Sequence, residues 1–307
     1  MGSNQLTVER DERLVAGIDD GAEVYFVHSY GSGVGDLTVA SCDYGREFAA
    51  GNLPYIHTPV EYPPLTVAWL WLMAPFTGDE QTYNTAFSFL MGGISILGLL
   101  VTLRLADISF PRLDTSSKLL ATTVLYTLAV VCVGPIGVVS MDYIPMLFSA
   151  MALAALLSDR HLPAHALLAT AIAAKGYPVF LVPLFLAQTL RRGGWTMAAR
   201  SALVFAGVCA VFFGIPYLAA PENFLRAFSY HSARGIEIGS FYSAALTLTR
   251  FAGVELHSYS GFGCWNIGAG RLSETVADVS PFIMIGLAGV CYARFLVRGP
   301  LAPAAAV

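Results

Sequence analysis

The stretch "AAKGYPVFLVPLFL" (Ala173–Leu186) decides the fold of this chain. It lies inside the apolar block 164–190, and arginine-containing segments, 159–165 and 191–200, adjoin both ends of that block. Because basic loops stay on the cytoplasmic side of a membrane, the block must begin and end on one side, which a single span cannot do. The proline of the Lys-Gly-Tyr-Pro interruption cannot continue a helical hydrogen-bond ladder. We therefore expect two half-helices of about 12 to 14 residues, roughly 20 Å each, with Lys175 near the tip of their hairpin.

The composition of the whole chain is that of a membrane protein. Of its 307 residues 56% are hydrophobic and 12% are charged, whereas soluble domains carry about 25% charged residues. The apolar blocks run over 64–76, 84–104, 119–134, 143–158, 164–190, 201–219 and 279–298. These lengths predict an all-α integral membrane protein with about five full spans plus re-entrant or half-helices. A net charge of -4 and the lack of a basic stripe argue against a nucleic-acid partner.

The polar segments between the blocks predict the domain organisation. We expect an N-terminal extracytoplasmic segment over 1–63 and a membrane domain over 64–298, in which 220–278 forms a large extracytoplasmic loop. The Ala- and Pro-rich end, 299–307, is expected to be disordered. Cys42 and Cys264 both lie in polar segments, and the sequence leaves their pairing open.

The stretch "PVEYPPLTVAWLWLMAPF" (Pro59–Phe76) contains the shortest apolar block. Its part from Pro64 to Phe76 is as apolar as a membrane helix but too short to cross a bilayer. Proline suits the first turn of a helix, so Pro64 marks the expected helix start. Because the flanking polar segments are both predicted outside, we expect a re-entrant or interfacial helix here.

Ionisable residues beside the membrane blocks indicate a class of chemistry. Loop carboxylates such as Asp36, Asp43 and Glu61 suit a general base, although such groups are often merely solvated. Lys175 at membrane depth, with the cations His231 and Arg234, suits a phosphate group. With no soluble nucleotide motif and no dedicated metal cluster, these groups indicate a lipid-linked phosphate donor and no required cofactor or metal.

Four stretches resemble one enzyme family. "GDLTVASCDYGREFAAGNLPYIHTPVEYPPL" (Gly35–Leu65) resembles the first external loop of the polyprenyl-phosphate-mannose-dependent glycosyltransferases of bacterial envelopes, which are glycosyltransferase family 87 with the C-type fold (GT-C). The other three are "SMDYIPMLFSAMALAALL" (Ser140–Leu157), "AAKGYPVFLVPLFL" (Ala173–Leu186) and "YHSARGIEIGSFYSA" (Tyr230–Ala244). The four stretches occur in the order that the family has.

The resemblance implies a reaction and its residues. It implies transfer of a hexose, with mannose expected, from a polyprenyl phosphate to an envelope lipid or glycan on the outer face of the bacterial plasma membrane. Asp36 is then the expected general base, with Asp43 as the second choice. Lys175, His231 and Arg234 are expected to hold the donor phosphate. The residues expected on the cavity or acceptor side are Tyr55, Glu61, Tyr62 and Asp142.

Two alternatives remain open from the sequence. The family has a membrane span before its first loop, which this chain does not show, and several spans at its C-terminus, which are reduced to one here. These departures suggest a truncated or non-catalytic copy with the same fold. A lipid or sugar transporter is the other alternative, because broken helices also line transport pathways. Transporters often contain internal repeats, and none is visible in this sequence.

Overall fold

The computed structural model describes residues 4–5, 7–8, 23–24, 40–41, 44–58, 60, 62–76, 80–133, 141–232, 235–237, 240–261 and 264–298. The helices are α1 (Tyr44–Ala49), α2 (Pro64–Leu72), α3 (Glu80–Ser109), α4 (Thr115–Val133), α5 (Tyr143–Leu157), α6 (His161–Ala174), α7 (Val182–Cys209), α8 (Ile215–Ala219), α9 (Pro221–Ser232), α10 (Phe241–Thr249) and α11 (Arg271–Arg298). The strands are β1 (Asn4–Gln5), β2 (Thr7–Val8), β3 (Glu23–Val24), β4 (Ala40–Ser41), β5 (His257–Gly261) and β6 (Cys264–Gly268). The tail 299–307 and Cys42 lie outside the described residues.

Within the described residues, four helical segments are long and apolar enough, by length and composition, to cross a membrane. They are Thr85–Ser109, Thr115–Cys132, Tyr177–Ala219 and Arg271–Val297. The third segment is interrupted at Gly194, whose φ of 72° lies in the left-handed region that favours glycine. Residues 195–219 beyond this break still reach about 37 Å, enough to cross a hydrocarbon core of about 30 Å. These helices agree with the predicted helical membrane protein.

The chain divides into two compact units. Unit 1 contains Met1–Glu61, Leu70–Asn84 and Ala220–Cys291, and unit 2 contains Tyr62–Trp69, Thr85–Ala219 and Tyr292–Val307.

The centre of unit 2 is a bundle of α5, α6 and the first half of α7. The short turn between Leu157 and His161 makes α5 and α6 antiparallel neighbours. Their shared core consists of Ala152, Leu156, Ala164, Leu168, Ile172 and Phe185. Small residues at such contacts let helix backbones approach closely, which is how apolar helices associate within lipid. The break between α6 and α7 falls after Ala174, so the predicted interruption at Lys175 is confirmed.

Basic residues gather at the end of this bundle where α5 turns into α6. Arg192 Nη1 lies 2.9 Å from Asp159 Oδ1 in that turn. Arg191 donates to the backbone oxygens of Phe295 and Leu296, at 3.4 and 2.7 Å. A cation near the last carbonyls of a helix, here α11, also complements the helix dipole. Three segments that the arginine pattern predicted to be cytoplasmic therefore meet at one end of unit 2.

Helices α3 and α4 also form a connected pair in unit 2. Lys118 Nζ lies 2.6 Å from Asp107 Oδ1 across their turn. The Asp114 carboxylate accepts from the Ser117 backbone N–H at 2.8 Å and so caps the start of α4. Hydrogen bonding with Ser117 holds the pKa of the Asp114 carboxyl below its usual range. Deeper in the pair, the Tyr126 hydroxyl donates to the Ser95 carbonyl at 2.7 Å.

Two short helices bear on the predicted number of spans. Helix α2 begins at Pro64, as predicted, and a 3₁₀ turn over Ala74–Phe76 extends it to a short apolar helix. Its re-entrant placement stays a prediction. Helix α5 has 15 residues and is about 22 Å long, shorter than the roughly 20 residues that a full span needs. The expected full span over 143–158 is thus a short helix, and a total of five spans stays a prediction.

Unit 1 contains a β-hairpin that the all-α interpretation missed. Strands β5 and β6 pair antiparallel, from His257 opposite Gly268 to Gly261 opposite Cys264. The Ile267 N–H donates to the Ile236 carbonyl at 2.9 Å, which joins the segment before α10 to β6. Ile236, Ile267 and Leu246 of α10 then form a buried core. The hairpin therefore provides the platform on which α10 packs.

Candidate functional site

The site is built on the break between α6 and α7. Lys175 has extended backbone, with φ -158° and ψ 136°, immediately after the last residue of α6. Pro178 has no N–H to donate, and the chain continues as a 3₁₀ turn over Tyr177–Leu181 before α7 begins. This local sequence holds the Lys175 side chain at one end of the bundle, and Asp159 and Arg192 lie at the other end.

The Lys175 ammonium forms an ion pair with the Asp142 carboxylate. Asp142 immediately precedes α5, so the antiparallel packing of α5 and α6 brings the two residues together. The side chains of Lys175 and Asp142 are 53% and 57% exposed. Pairs as open as this one contribute little to stability, so the arrangement is better suited to presenting a cation than to holding the bundle together.

A buried threonine links α2 to the same break. The Thr66 hydroxyl donates to the Ala174 carbonyl oxygen at 2.5 Å, and Thr66 is 3% exposed. The last four carbonyls of a helix lack intrahelical partners, and this hydroxyl satisfies one of them. The proline-headed stretch from Pro64 therefore supports the residue directly before Lys175.

Thr66→Val is expected to destabilise the folded protein by about 1–3 kcal/mol, because it leaves a buried carbonyl unsatisfied. Thr66→Ser keeps the hydroxyl and serves as the matched control. Thermal or denaturant unfolding in detergent micelles measures both. Equal unfolding of the Val and Ser variants would mean that the hydrogen bond contributes nothing.

The two predicted tyrosines occupy different surroundings. Tyr55 is buried in unit 1, where its carbonyl accepts from Asn223 Nδ2 at 2.7 Å and its ring contacts Phe224 edge-on at 5.7 Å. These contacts give Tyr55 a packing role in that unit. Tyr62 is half-buried in unit 2, two residues before the start of α2.

The remaining predicted site residues lie outside the described residues or at the end of α9. Asp36, Asp43, Glu61 and Arg234 lie outside the described residues. His231 belongs to the last turn of α9. Their predicted roles therefore stay predictions, while Lys175 and Asp142 are the two predicted residues that the described structure brings together.

Sequence reasoning missed a buried polar cluster on α6 and α7. His161 and Thr189 are joined by a hydrogen bond of 3.2 Å between Nδ1 and Oγ1. His165 Nδ1 lies 2.9 Å from the His161 carbonyl oxygen, one helical turn away. The i, i+4 spacing of the two histidines is the signal that could have indicated a polar stripe facing another helix. The cluster ties the two half-helices together below the Lys175 break.

Comparisons with known proteins show no family for the whole chain. No family model matches it, and no solved structure does. It is 48% identical over 50 residues to "Imidazole glycerol phosphate synthase subunit HisH" of Shewanella loihica. These 50 aligned residues make up 16% of this chain and 22% of that protein. The HisH subunits of Salmonella typhimurium and Escherichia coli K12 are also 48% identical over 50 residues, with 26% of each covered. The chain thus spans about a quarter of the length of the curated relatives it matches.

Proposed function

We propose that this chain is an integral membrane glycosyltransferase of the C-type fold that acts from the extracytoplasmic face of a bacterial plasma membrane. It transfers a hexose, with mannose as the first candidate, from a polyprenyl phosphate to a lipid or glycan hydroxyl of the envelope. The observation that carries the proposal is the Lys175–Asp142 pair at a helix break inside an apolar bundle.

The depth of this pair in the membrane supports the proposal. Helix α5 is about 22 Å long and separates the pair from the Asp159–Arg192 end of the bundle. With the arginine end at the cytoplasmic surface and the helix along the membrane normal, the pair lies about 8 Å below the opposite surface of a 30 Å hydrocarbon core. Non-helical backbone and charged groups at that depth survive only beside protein or water, so the break lines a polar recess.

A recessed ammonium suits the phosphate of a lipid-linked sugar. The polyprenyl chain stays in the bilayer while its phosphate reaches the recess from the side, and Asp142 keeps the Lys175 charge paired until the phosphate replaces it. Once the bound donor has displaced water from the recess, an oriented cation there stabilises the charge that develops on the departing phosphate far better than it would in bulk water.

The reaction needs one base and one leaving group. The acceptor oxygen attacks the anomeric carbon of the hexose, the bond from that carbon to the phosphate oxygen breaks, and polyprenyl phosphate leaves with the bonding electrons. Asp36 takes the acceptor proton. The cations that stabilise the leaving phosphate are Lys175, His231 and Arg234. The attack comes from the face opposite the phosphate, so the anomeric configuration inverts.

The test is transfer of labelled mannose from synthetic polyprenyl-phosphate mannose by the purified protein in vesicles, with envelope lipids and glycans as acceptors. Asp36→Asn is expected to lower turnover roughly 100- to 10,000-fold, the range for loss of a general base, while Asp43→Asn keeps it. The opposite result would move the base to Asp43. A folded wild-type protein that transfers no sugar would overturn the enzymatic proposal, and movement of the donor across the vesicle without transfer would favour a transporter.

A further inference from the structure

Helix α10 in unit 1 carries an apolar face that the rest of its unit leaves uncovered. Phe241 and Leu248 are 82% and 66% exposed, and Phe251 in the following 3₁₀ turn is 92% exposed. Ala244 and Ala245, between them, are also exposed. The spacing of three and four residues places these side chains on one face. The solvent-exposed face of a soluble helix is normally polar, whereas these five exposed positions are all apolar.

The opposite face of α10 is fixed against the first turns of α11. Leu246 is buried and packs in the core to which Val276 and Ala277 belong. The Tyr242 hydroxyl donates to the Ser280 carbonyl oxygen at 3.2 Å. Helix α10 therefore lies at the level of residues 276–280 of α11.

That level is where α11 changes from polar to apolar. Its first two turns expose Arg271, Glu274 and Asp278. From Val279 to Ala293 its exposed residues are apolar, and Phe282, Ile285, Leu287 and Val290 are among them. A helix with this surface, in a segment long enough to cross a membrane, has its lipid boundary near residue 279.

We infer that α10 and the turn after it, residues 241–252, rest in the membrane interface with lipid acyl chains against Phe241, Leu248 and Phe251. The apolar face of α10 continues the lipid-facing surface of α11 at the boundary of the bilayer. Arg250 is exposed between Leu248 and Phe251, where its guanidinium meets the phosphates of the lipid headgroups. The occupant of this face is thus the bilayer itself.

Spin-label accessibility in lipid vesicles tests this inference on the full chain. Nitroxides are attached to the single-cysteine variants Phe241→Cys, Leu248→Cys and Phe251→Cys, each made in a protein whose native cysteines are replaced. The vesicles contain phosphatidylcholine and phosphatidylglycerol and no polyprenyl-phosphate sugar. We expect frequent collisions with oxygen, which concentrates in the bilayer, and few with a water-soluble nickel complex. Glu255→Cys, exposed in the same unit, is the control and should show the reverse.

Two outcomes would overturn the inference. Nickel accessibility at Phe251 equal to that at Glu255 would place the face in water. Protection from both reagents would mean that protein, such as a second copy of the chain, covers it. If the cysteine-free variant does not fold, Phe251→Trp in the native background replaces it. Lipids with brominated acyl chains should then quench more tryptophan fluorescence in this variant than in the wild-type protein. Equal quenching in the two proteins would contradict a lipid contact.

Discussion

Lys175→Ala is expected to lower sugar transfer about 100-fold while the folded protein keeps its stability. The loss follows from removal of one preorganised cation that stabilises the leaving phosphate, for which losses of about 100- to 1,000-fold are typical. Stability should change little, because the Lys175–Asp142 pair is more than half exposed and such pairs contribute about 0–1 kcal/mol. Steady-state transfer from polyprenyl-phosphate mannose and unfolding in detergent measure the two effects separately.

Two further variants distinguish charge from packing at this site. Lys175→Arg keeps the cation and should retain more activity than Lys175→Ala, although its planar fork does not reproduce the geometry of an ammonium. Asp142→Asn keeps the cation and removes only its resident partner, so it too should remain more active than Lys175→Ala. Wild-type turnover in Lys175→Ala would show that the pair has no part in the reaction, whatever the Asp36→Asn variant does.

The position of this site could be predicted from the sequence because it depends on the local backbone preferences of a few residues. Proline cannot donate to the helical hydrogen-bond ladder and glycine weakens it, so the Gly-Tyr-Pro sequence after Lys175 favours an interruption, and the arginines on both sides require a hairpin. The ion pair with Asp142 was not predicted as such. The ion pair depends on the register between α5 and α6. Side-chain packing sets this register, and a hydropathy pattern does not predict it.

Other parts of the fold depended on contacts that a hydropathy pattern does not show. The hairpin of β5 and β6 was missed because short polar strands give no membrane signal, and its partner segment around Ile236 lies about 30 residues earlier in the chain. The break at Gly194 lies inside a polar stretch that was interpreted as a connecting segment. Thr66 gave no signal either, because its role arises only when α2 meets the end of α6.

Ala164→Leu is expected to destabilise the protein by about 1–3 kcal/mol and to lower transfer at the same time. Ala164 is fully buried in the core that α6 shares with α5 and α7, where it packs with Ala152 and Leu168. Three extra carbon atoms at this contact must push α6 away from α5. Because Asp142 precedes α5 and Lys175 follows α6, the displacement reaches both members of the ion pair.

Ala121→Leu is the matched control for this prediction. It makes the same chemical change on an exposed position of α4, in a segment long enough to cross the membrane, where the larger side chain faces lipid. Unfolding in mixed micelles and transfer rates should leave Ala121→Leu near wild type and separate it clearly from Ala164→Leu. Equal stability of the two variants would contradict close packing of α5 and α6. Loss of stability with unchanged transfer would instead show that the site tolerates movement of the helices that carry it, which is incompatible with a cation held in place for the leaving phosphate.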